Sequence, residues 1–285
     1  MISHLSYLQA IMTGLLQGVT ELFPVSSLGH TVLVPAWIGG SWATFSESPT
    51  YFLVAIALHL GSAIALFIAF APRWVVILRS TLTLKRNEPG YKVFMLLLIG
   101  TIPVGLLGLI FNDFFQKNFE KPLIAAIFLF VNGLILLGAE RLTRRRHVHL
   151  TTSDPDVAIV ERISNGQALV IGVGQSAALF AGISRFGITM SFGMLRGLSR
   201  SLAADFAFLL SFPVILGASL FKLPKLAHGD LAGLYGPLIV GTVVAFFATF
   251  ISVKVLIKWF KTQSLLPFAY YSLLIGLVSI VKFGF

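Results

Sequence analysis

Two short runs in this chain carry polar side chains that their apolar surroundings do not explain. The first reads Glu21, Leu22, Phe23, Pro24, Val25, Ser26, Ser27, Leu28, Gly29, His30, and the second reads Gly182, Ile183, Ser184, Arg185, Phe186, Gly187, Ile188, Thr189. Together they hold a carboxylate, an imidazole, a guanidinium and several hydroxyls. A guanidinium presents a planar fork matched to phosphate oxygens. Helix N-termini expected just after Gly29 and Gly187 would turn backbone N–H groups towards an anion. Phosphate is the ligand this set suits. Ser27 and His30 stand three apart, so at a helix mouth the imidazole could reach the hydroxyl or a water and act as general base or acid. Glu21 could ligate a hard divalent cation, Mg²⁺ or Ca²⁺, which would neutralise phosphate charge.

Each residue also has a plainer reading. Glu21 and Arg185 would serve equally as a structural ion pair, but ionisable groups at membrane depth are functional by default, which favours chemistry. His30 taken alone is as well read as a satisfied core histidine, and only the company of Ser27 and Arg185 turns it towards catalysis. Ser26, Ser184 and Thr189 suit helix N-caps as well as phosphate contacts, since both roles share one geometry. Gln17 and Gln175 read as amides that bridge helices, secondary to the site. His59, in the run ALHLGS, reads as a packing histidine outside the core of the site.

The elements that must position these groups lie in a membrane. Of 285 residues, 56% are apolar and 11% charged, with a mean hydropathy of +0.91, a balance that excludes an ordinary soluble domain. Six stretches are long and apolar enough to span a bilayer, at roughly 51–72, 93–112, 122–140, 202–221, 231–253 and 265–284. The net charge of +10 comes from residues between the spans, not from a basic face, so nucleic acid is excluded as a partner. No cysteine is present, which removes disulfides, thiolate metal sites and a cysteine nucleophile. The first Lys or Arg is Arg73, so no cleavable signal peptide is expected.

Basic residues cluster in three connections: Arg73, Arg79, Lys85, Arg86 and Lys92; Arg141, Arg144, Arg145 and Arg146; and Lys254, Lys258 and Lys261. The positive-inside rule places all three in the cytoplasm, with the loops near 113–121 and 222–230 and the C-terminus outside. Two more apolar segments, about 5–40 and 166–201, are broken at their middles by Gly, Pro, Ser and charged residues, as expected of re-entrant helical hairpins lining one cavity. They also repeat: GLLQGVTELFPVSSLGHT from Gly14 aligns without gaps to GVGQSAALFAGISRFGIT from Gly172, 158 residues later. The predicted fold is therefore an all-α integral membrane protein of one domain, 1–285. It is an inverted repeat whose halves, about 1–140 and 166–285, are joined by a cytoplasmic linker at about 141–165. Each half is a hairpin plus three transmembrane helices; an odd number of spans turns the second half over, so the hairpin tips should meet near the midplane.

GLLQGVTELFPVSSLGH and ALFAGISRFGIT resemble the two signature motifs of bacterial undecaprenyl-diphosphatases, and ALHLGS, DFAFLLSFPVILGAS and LLPFAYYSLLIG are similar to further landmarks of that family. The resemblance implies hydrolysis of undecaprenyl diphosphate to undecaprenyl phosphate and inorganic phosphate. That reaction recycles the carrier lipid of peptidoglycan synthesis, with bacitracin resistance as a consequence, at an active site open to the outer face of the bacterial plasma membrane. Carried over by motif position, Glu21, Ser27, His30 and Arg185 are the catalytic set, Ser26, Ser184, Arg185 and Thr189 hold phosphate, and Glu21 is the metal ligand. Ser27 as covalent nucleophile and His30 as activator of water both stay open, as does a homodimer. Three positions depart from the family pattern: Gln17 stands where many members carry a second glutamate, Ala181-Gly182 replaces Pro-Gly, and Phe186 replaces a serine, removing a hydroxyl expected beside the phosphate cradle.

The rival reading is a transporter or flippase for a lipid phosphate or other anion, because opposed hairpins with helix ends at the midplane also hold transported ions. Ser27, His30 and Arg185 together favour the enzyme. The topology is tested by cysteine labelling: a cysteine placed at 228 should react with an impermeant thiol reagent from outside and one at 149 should not, and the reverse pattern would overturn the orientation.

Overall fold

The computed structural model describes residues 5–46, 48–111, 114, 121–143, 154–227 and 233–285. Both positions chosen for cysteine labelling, and Arg144, Arg145 and Arg146, lie outside these residues. The described chain is all-helical. A first hairpin comprises α1 (Tyr7–Thr20) and α2 (Ser27–Ile38), followed by a short α3 (Gly40–Ser46) and then α4 (Pro49–Ala69), α5 (Ala71–Leu82), α6 (Pro89–Ile110) and α7 (Pro122–Thr143). After α8 (Pro155–Arg162), a second hairpin of α9 (Asn165–Gln175), a 3₁₀ turn (Ser176–Leu179) and α10 (Arg185–Leu195) leads into α11 (Arg200–Ala227), α12 (Tyr235–Thr262) and α13 (Leu266–Gly284). Six of these helices are long and apolar enough to cross a bilayer: α4, α6, α7, α11, α12 and α13.

The ends of several spans differ from the sequence reading. The stretch at 51–72 stops at Ala69, because Phe70 leaves helical geometry and Pro72 opens α5 instead. Arg73 and Arg79 thus ride a helix that buries Trp74, Ile77 and Ser80. The span expected at 231–253 runs from Tyr235 to Thr262, so Lys254, Lys258 and Lys261 occupy its last turns rather than a loop after it.

The repeat extends further than the aligned motifs. Helix α1 opens with a capping box in which Gln9 N–H donates to Ser6 Oγ at 3.1 Å and Ser6 N–H donates to Gln9 Oε1 at 3.0 Å. Helix α9 opens with the same device, Ser164 with Gln167, at 3.3 and 2.8 Å. These residues are again 158 positions apart, so the duplicated segment carries its own helix start signal. Each first helix then crosses a long helix at a glycine. A Cβ on Gly14 would overlap the carbonyl of Gly241 in α12, and one on Gly172 would overlap the carbonyl of Gly100 in α6. Small residues at such crossings let backbones meet closely where lipid supplies no hydrophobic drive between helices. Gln175 reinforces the second crossing by donating to Gly100 O at 3.3 Å.

Helix α7 lies between the hairpins, with α2 and α10 both packed on it and α13 along its other side. The main core joins Leu22 and Val25 of the first hairpin to Phe186 and Met190 of the second through Leu66, Leu96, Phe206 and Phe208.

Arg73 and Arg200, read from sequence as topology signals or left unassigned, are ion-paired. Arg73 bonds Asp156 of α8 and lies 3.8 Å from Asp205 of α11. Arg200, at the start of α11, grips both oxygens of Glu140, whose Oε2 also accepts from Leu265 N–H at 3.2 Å. The Glu140 side chain is only 2% exposed, so this pair clamps α7, α11 and α13 together. Removing Arg200 would strand the Glu140 carboxylate inside the protein, so Arg200→Ala should destabilise the protein by about 3–5 kcal/mol. That loss would appear as a lowered unfolding midpoint in detergent, and an unchanged midpoint would refute the clamp.

Candidate active site

The two hairpin tips are in contact. Helix α1 ends at Thr20 and Glu21 caps it, while α2 and α10 begin at Ser27 and Arg185, two residues before the glycines at which sequence reading placed them. The N-caps are Ser26, accepting from Gly29 N–H at 3.2 Å, and Ser184, accepting from Gly187 N–H at 3.1 Å. Ser26 does more than cap: its Oγ also accepts from Gly182 N–H of the opposite tip at 3.1 Å. To reach it, Ser26 adopts φ 70°, ψ 105°, and Gly182 adopts φ 111°. Such backbone in a residue with a Cβ costs on the order of 1–3 kcal/mol and persists only where its surroundings enforce it. At Gly182, a Cβ would meet the backbone of Ala125, Phe128 and Leu129.

Asn132, fully buried on α7, holds both tips to the last helix. Its Nδ2 donates to Pro24 O at 2.9 Å and Ser272 Oγ at 3.2 Å, and its Oδ1 accepts from Ser184 N–H at 2.9 Å. The non-helical backbone of the tips is thereby satisfied inside the protein.

A narrow cleft opens between the tips, lined by Glu21, Ser26, Ser27, Ile183, Ser184 and Arg185. Glu21 is its centre of charge. Oε2 accepts from Ser27 Oγ–H at 2.5 Å and from Gln17 Nε2–H at 2.9 Å, with His59 Nε2 at 3.5 Å. Oε1 faces Arg185 Nη1 at 3.5 Å. Among the described residues, Arg185 Nε and Nη1 and Thr189 Oγ1 are buried without a hydrogen-bond partner. Buried donors left unmade are costly, and Thr189 lies one turn beyond Arg185 on the same helix face. An anion at the N-terminus of α10 would satisfy them.

Ser27 therefore pairs with Glu21, not with His30 as the sequence spacing suggested. His30 is held elsewhere, by Ser26 O at Nδ1 and Tyr271 OH at Nε2, both at 2.8 Å. Gln175 bridges α9 to α6, whereas Gln17 serves the carboxylate directly. Phe186 does not face the cleft: it is fully buried, its ring 4.6 Å from that of Phe208 and 5.8 Å from that of Phe260. The position expected to lose a cradle hydroxyl is a packing position in this chain.

Three residues of the site were not found in the sequence. His59 was set aside as a packing histidine; its Nδ1–H donates to Ala55 O at 2.7 Å, which turns Nε2 towards Glu21. Asn132 lies in no sequence motif, and Tyr271 falls within LLPFAYYSLLIG with no role of its own marked there. The signal common to His59 and Asn132 is a lone polar group within an apolar span. Among the described residues no cluster of three His, Cys, Asp or Glu side chains forms, so Glu21 is the one carboxylate the cleft offers a hard cation.

The sequence that builds this site is similar to that of known proteins along nearly its whole length. The family model described as bacitracin resistance protein BacA matches residues 10–278. Undecaprenyl-diphosphatase 2 of Frankia alni is 40% identical, covering 99% of both chains. Undecaprenyl-diphosphatase of Mycolicibacterium paratuberculosis is also 40% identical, over 99% of this chain and 98% of its own. That of Granulibacter bethesdensis is 37% identical, over 97% and 96%. With the match running through both hairpins and all six long helices, the chain belongs to the BacA bacitracin resistance protein family.

Proposed function

We propose that this protein hydrolyses undecaprenyl diphosphate to undecaprenyl phosphate and inorganic phosphate, returning the carrier lipid to peptidoglycan synthesis and conferring bacitracin resistance. The observation that carries this reading is the short hydrogen bond, 2.5 Å, from Ser27 Oγ–H to Glu21 Oε2, next to an arginine whose Nε and Nη1 have no hydrogen-bond partner. A hydroxyl already bonded to a carboxylate is an activated nucleophile. The relatives named for this reaction align over nearly the whole chain. A transporter would need the anion-binding half of the site but not the Ser27–Glu21 pair.

In this reading the diphosphate enters between the tips, its terminal phosphoryl oxygens meeting Arg185, Thr189 and the backbone N–H groups that open α2 and α10. Ser27 Oγ attacks the terminal phosphorus and passes its proton to Glu21. The bond to the bridging oxygen breaks and undecaprenyl phosphate leaves. Glu21 releases that proton to the departing undecaprenyl phosphate; it then takes a proton from water as the water oxygen bonds phosphorus and the Ser27 Oγ–P bond breaks, gives that proton to Ser27 Oγ, and inorganic phosphate departs. Gln17 and His59 hold the carboxylate in place throughout. Arg185 and the helix N-termini stabilise charge as it spreads over the transferring phosphoryl group. A divalent cation, Mg²⁺ or Ca²⁺, is proposed as a companion of the substrate: with Glu21 as its protein ligand and diphosphate oxygens as the others, it would neutralise charge.

The family and the charge pattern support a multi-pass protein of the bacterial plasma membrane with the two halves inserted in opposite senses and the cleft open to the outer side. Phosphate release from undecaprenyl diphosphate by purified protein in detergent tests the whole reading. Ser27→Ala and Glu21→Gln should each lower kcat by about 100-fold or more, and Arg185→Ala by about 100- to 1000-fold. EDTA should stop release, with Mg²⁺ or Ca²⁺ restoring it. No release from well-folded protein would shift the reading to transport.

A further inference from the structure

We infer that His30 and Tyr271 form a positioning pair that holds the strained Ser26 backbone, rather than the acid or base of the reaction. The inference rests on the hydrolase reading above and deepens it. Three observations carry it.

The first is the commitment of both ring nitrogens. Ser26 O can only accept, so the nitrogen 2.8 Å from it, Nδ1, carries the hydrogen. In the neutral ring Nε2 then holds a lone pair, and Tyr271 O–H fills it at 2.8 Å. The rings lie nearly parallel, 12° apart with centroids 5.7 Å apart, which fixes the imidazole face as well as its edge. An imidazole so held has both ring nitrogens engaged by groups other than Ser27 and Glu21.

The second is location. His30 is 4% exposed, and the cleft is lined by Glu21, Ser26, Ser27 and Arg185, not by His30. The basic role next to Ser27 is already filled by Glu21.

The third is what the imidazole grips. Ser26 O accepts from both His30 Nδ1 and His30 N–H, the latter at 3.2 Å. Ser26 is the one residue at the tips with a Cβ and a positive φ, and its Oγ joins Gly29 N–H to Gly182 N–H. Holding its carbonyl holds the turn that sets Ser27 against Glu21 and the first tip against the second. Tyr271 anchors the device in α13, where the next residue, Ser272, already ties that helix to Asn132.

The test uses a substitution that separates donor from base. Asparagine places an N–H where Nδ1 stands but titrates nowhere near neutral pH. In the phosphate-release assay, His30→Ala should lose at least 100-fold in kcat with KM changed less than threefold, whereas His30→Asn should recover to within tenfold of wild type. Tyr271→Phe should lower kcat several-fold alone and have no further effect in the His30→Asn background, because the two residues act as one unit. An inactive His30→Asn protein whose unfolding midpoint equals wild type would overturn the inference and make the imidazole an acid or base. So would a Tyr271→Phe effect that persists in full beside His30→Asn. Should wild type release no phosphate, the hydrolase reading fails on its own. The positioning pair is then judged by unfolding midpoints in detergent: lowered by His30→Ala and restored by His30→Asn supports it, equal midpoints refute it.

Discussion

Backbone that leaves the helix inside a bilayer must find every hydrogen-bond partner within the protein, because lipid offers none. This constraint organises the centre of the molecule. Each hairpin interrupts its helices with a turn, and the polar groups so released are taken up by a few buried side chains. Ser26 Oγ accepts the opposite tip's Gly182 N–H, Asn132 reaches Pro24 O and Ser184 N–H, and Ser184 caps its own helix. Of the groups left over, those of Arg185 line the cleft, and Thr189 Oγ1 lies one turn further along the same helix. In a site built for an anion, these are the groups the protein alone should not satisfy.

Close approach of the tips depends on how the first helices pack. Gly14 on Gly241 and Gly172 on Gly100 bring backbone against backbone, and any larger residue would push each hairpin out of register with its partner span. Charge is handled differently away from the cleft. Arg73 with Asp156 and Asp205, and Arg200 with Glu140, are partnered pairs that fix helix ends. The charge at the tips is arranged more loosely, with Glu21 and Arg185 at 3.5 Å and neither saturated by the other.

The departures from the family motif become intelligible in this setting. Gln17 keeps the carboxylate of Glu21 company as a donor, so the cleft carries one negative charge where two carboxylates would repel each other and need more cation to balance them. Phe186 extends an aromatic stack with Phe208 and Phe260 and leaves the cradle to Ser184, Arg185 and Thr189. Gly182 keeps to the motif, and its positive φ and the backbone of α7 beside it are the reason.

Hydropathy and local repetition determined much of this protein directly. Six spans, two broken hairpins, the duplicated motif and the polar residues at its tips follow from which side chains tolerate lipid and which do not. Helix limits shifted where local chemistry outweighed hydropathy, as where Pro72 opens a new helix and where α12 carries its lysines within its own last turns. The partners of the site residues belong to tertiary structure. Ser27 is three residues from His30 but bonds Glu21; His30 bonds Tyr271, 241 residues away; Asn132 bonds Ser184, 52 residues away. Spacing along a helix tells which residues share a face, whereas these bonds depend on how separate helices pack and on the direction a strained turn gives its side chains. Neither is encoded in any short stretch of sequence, which is why the polar residues that meet at the tips were legible and their pairing was not.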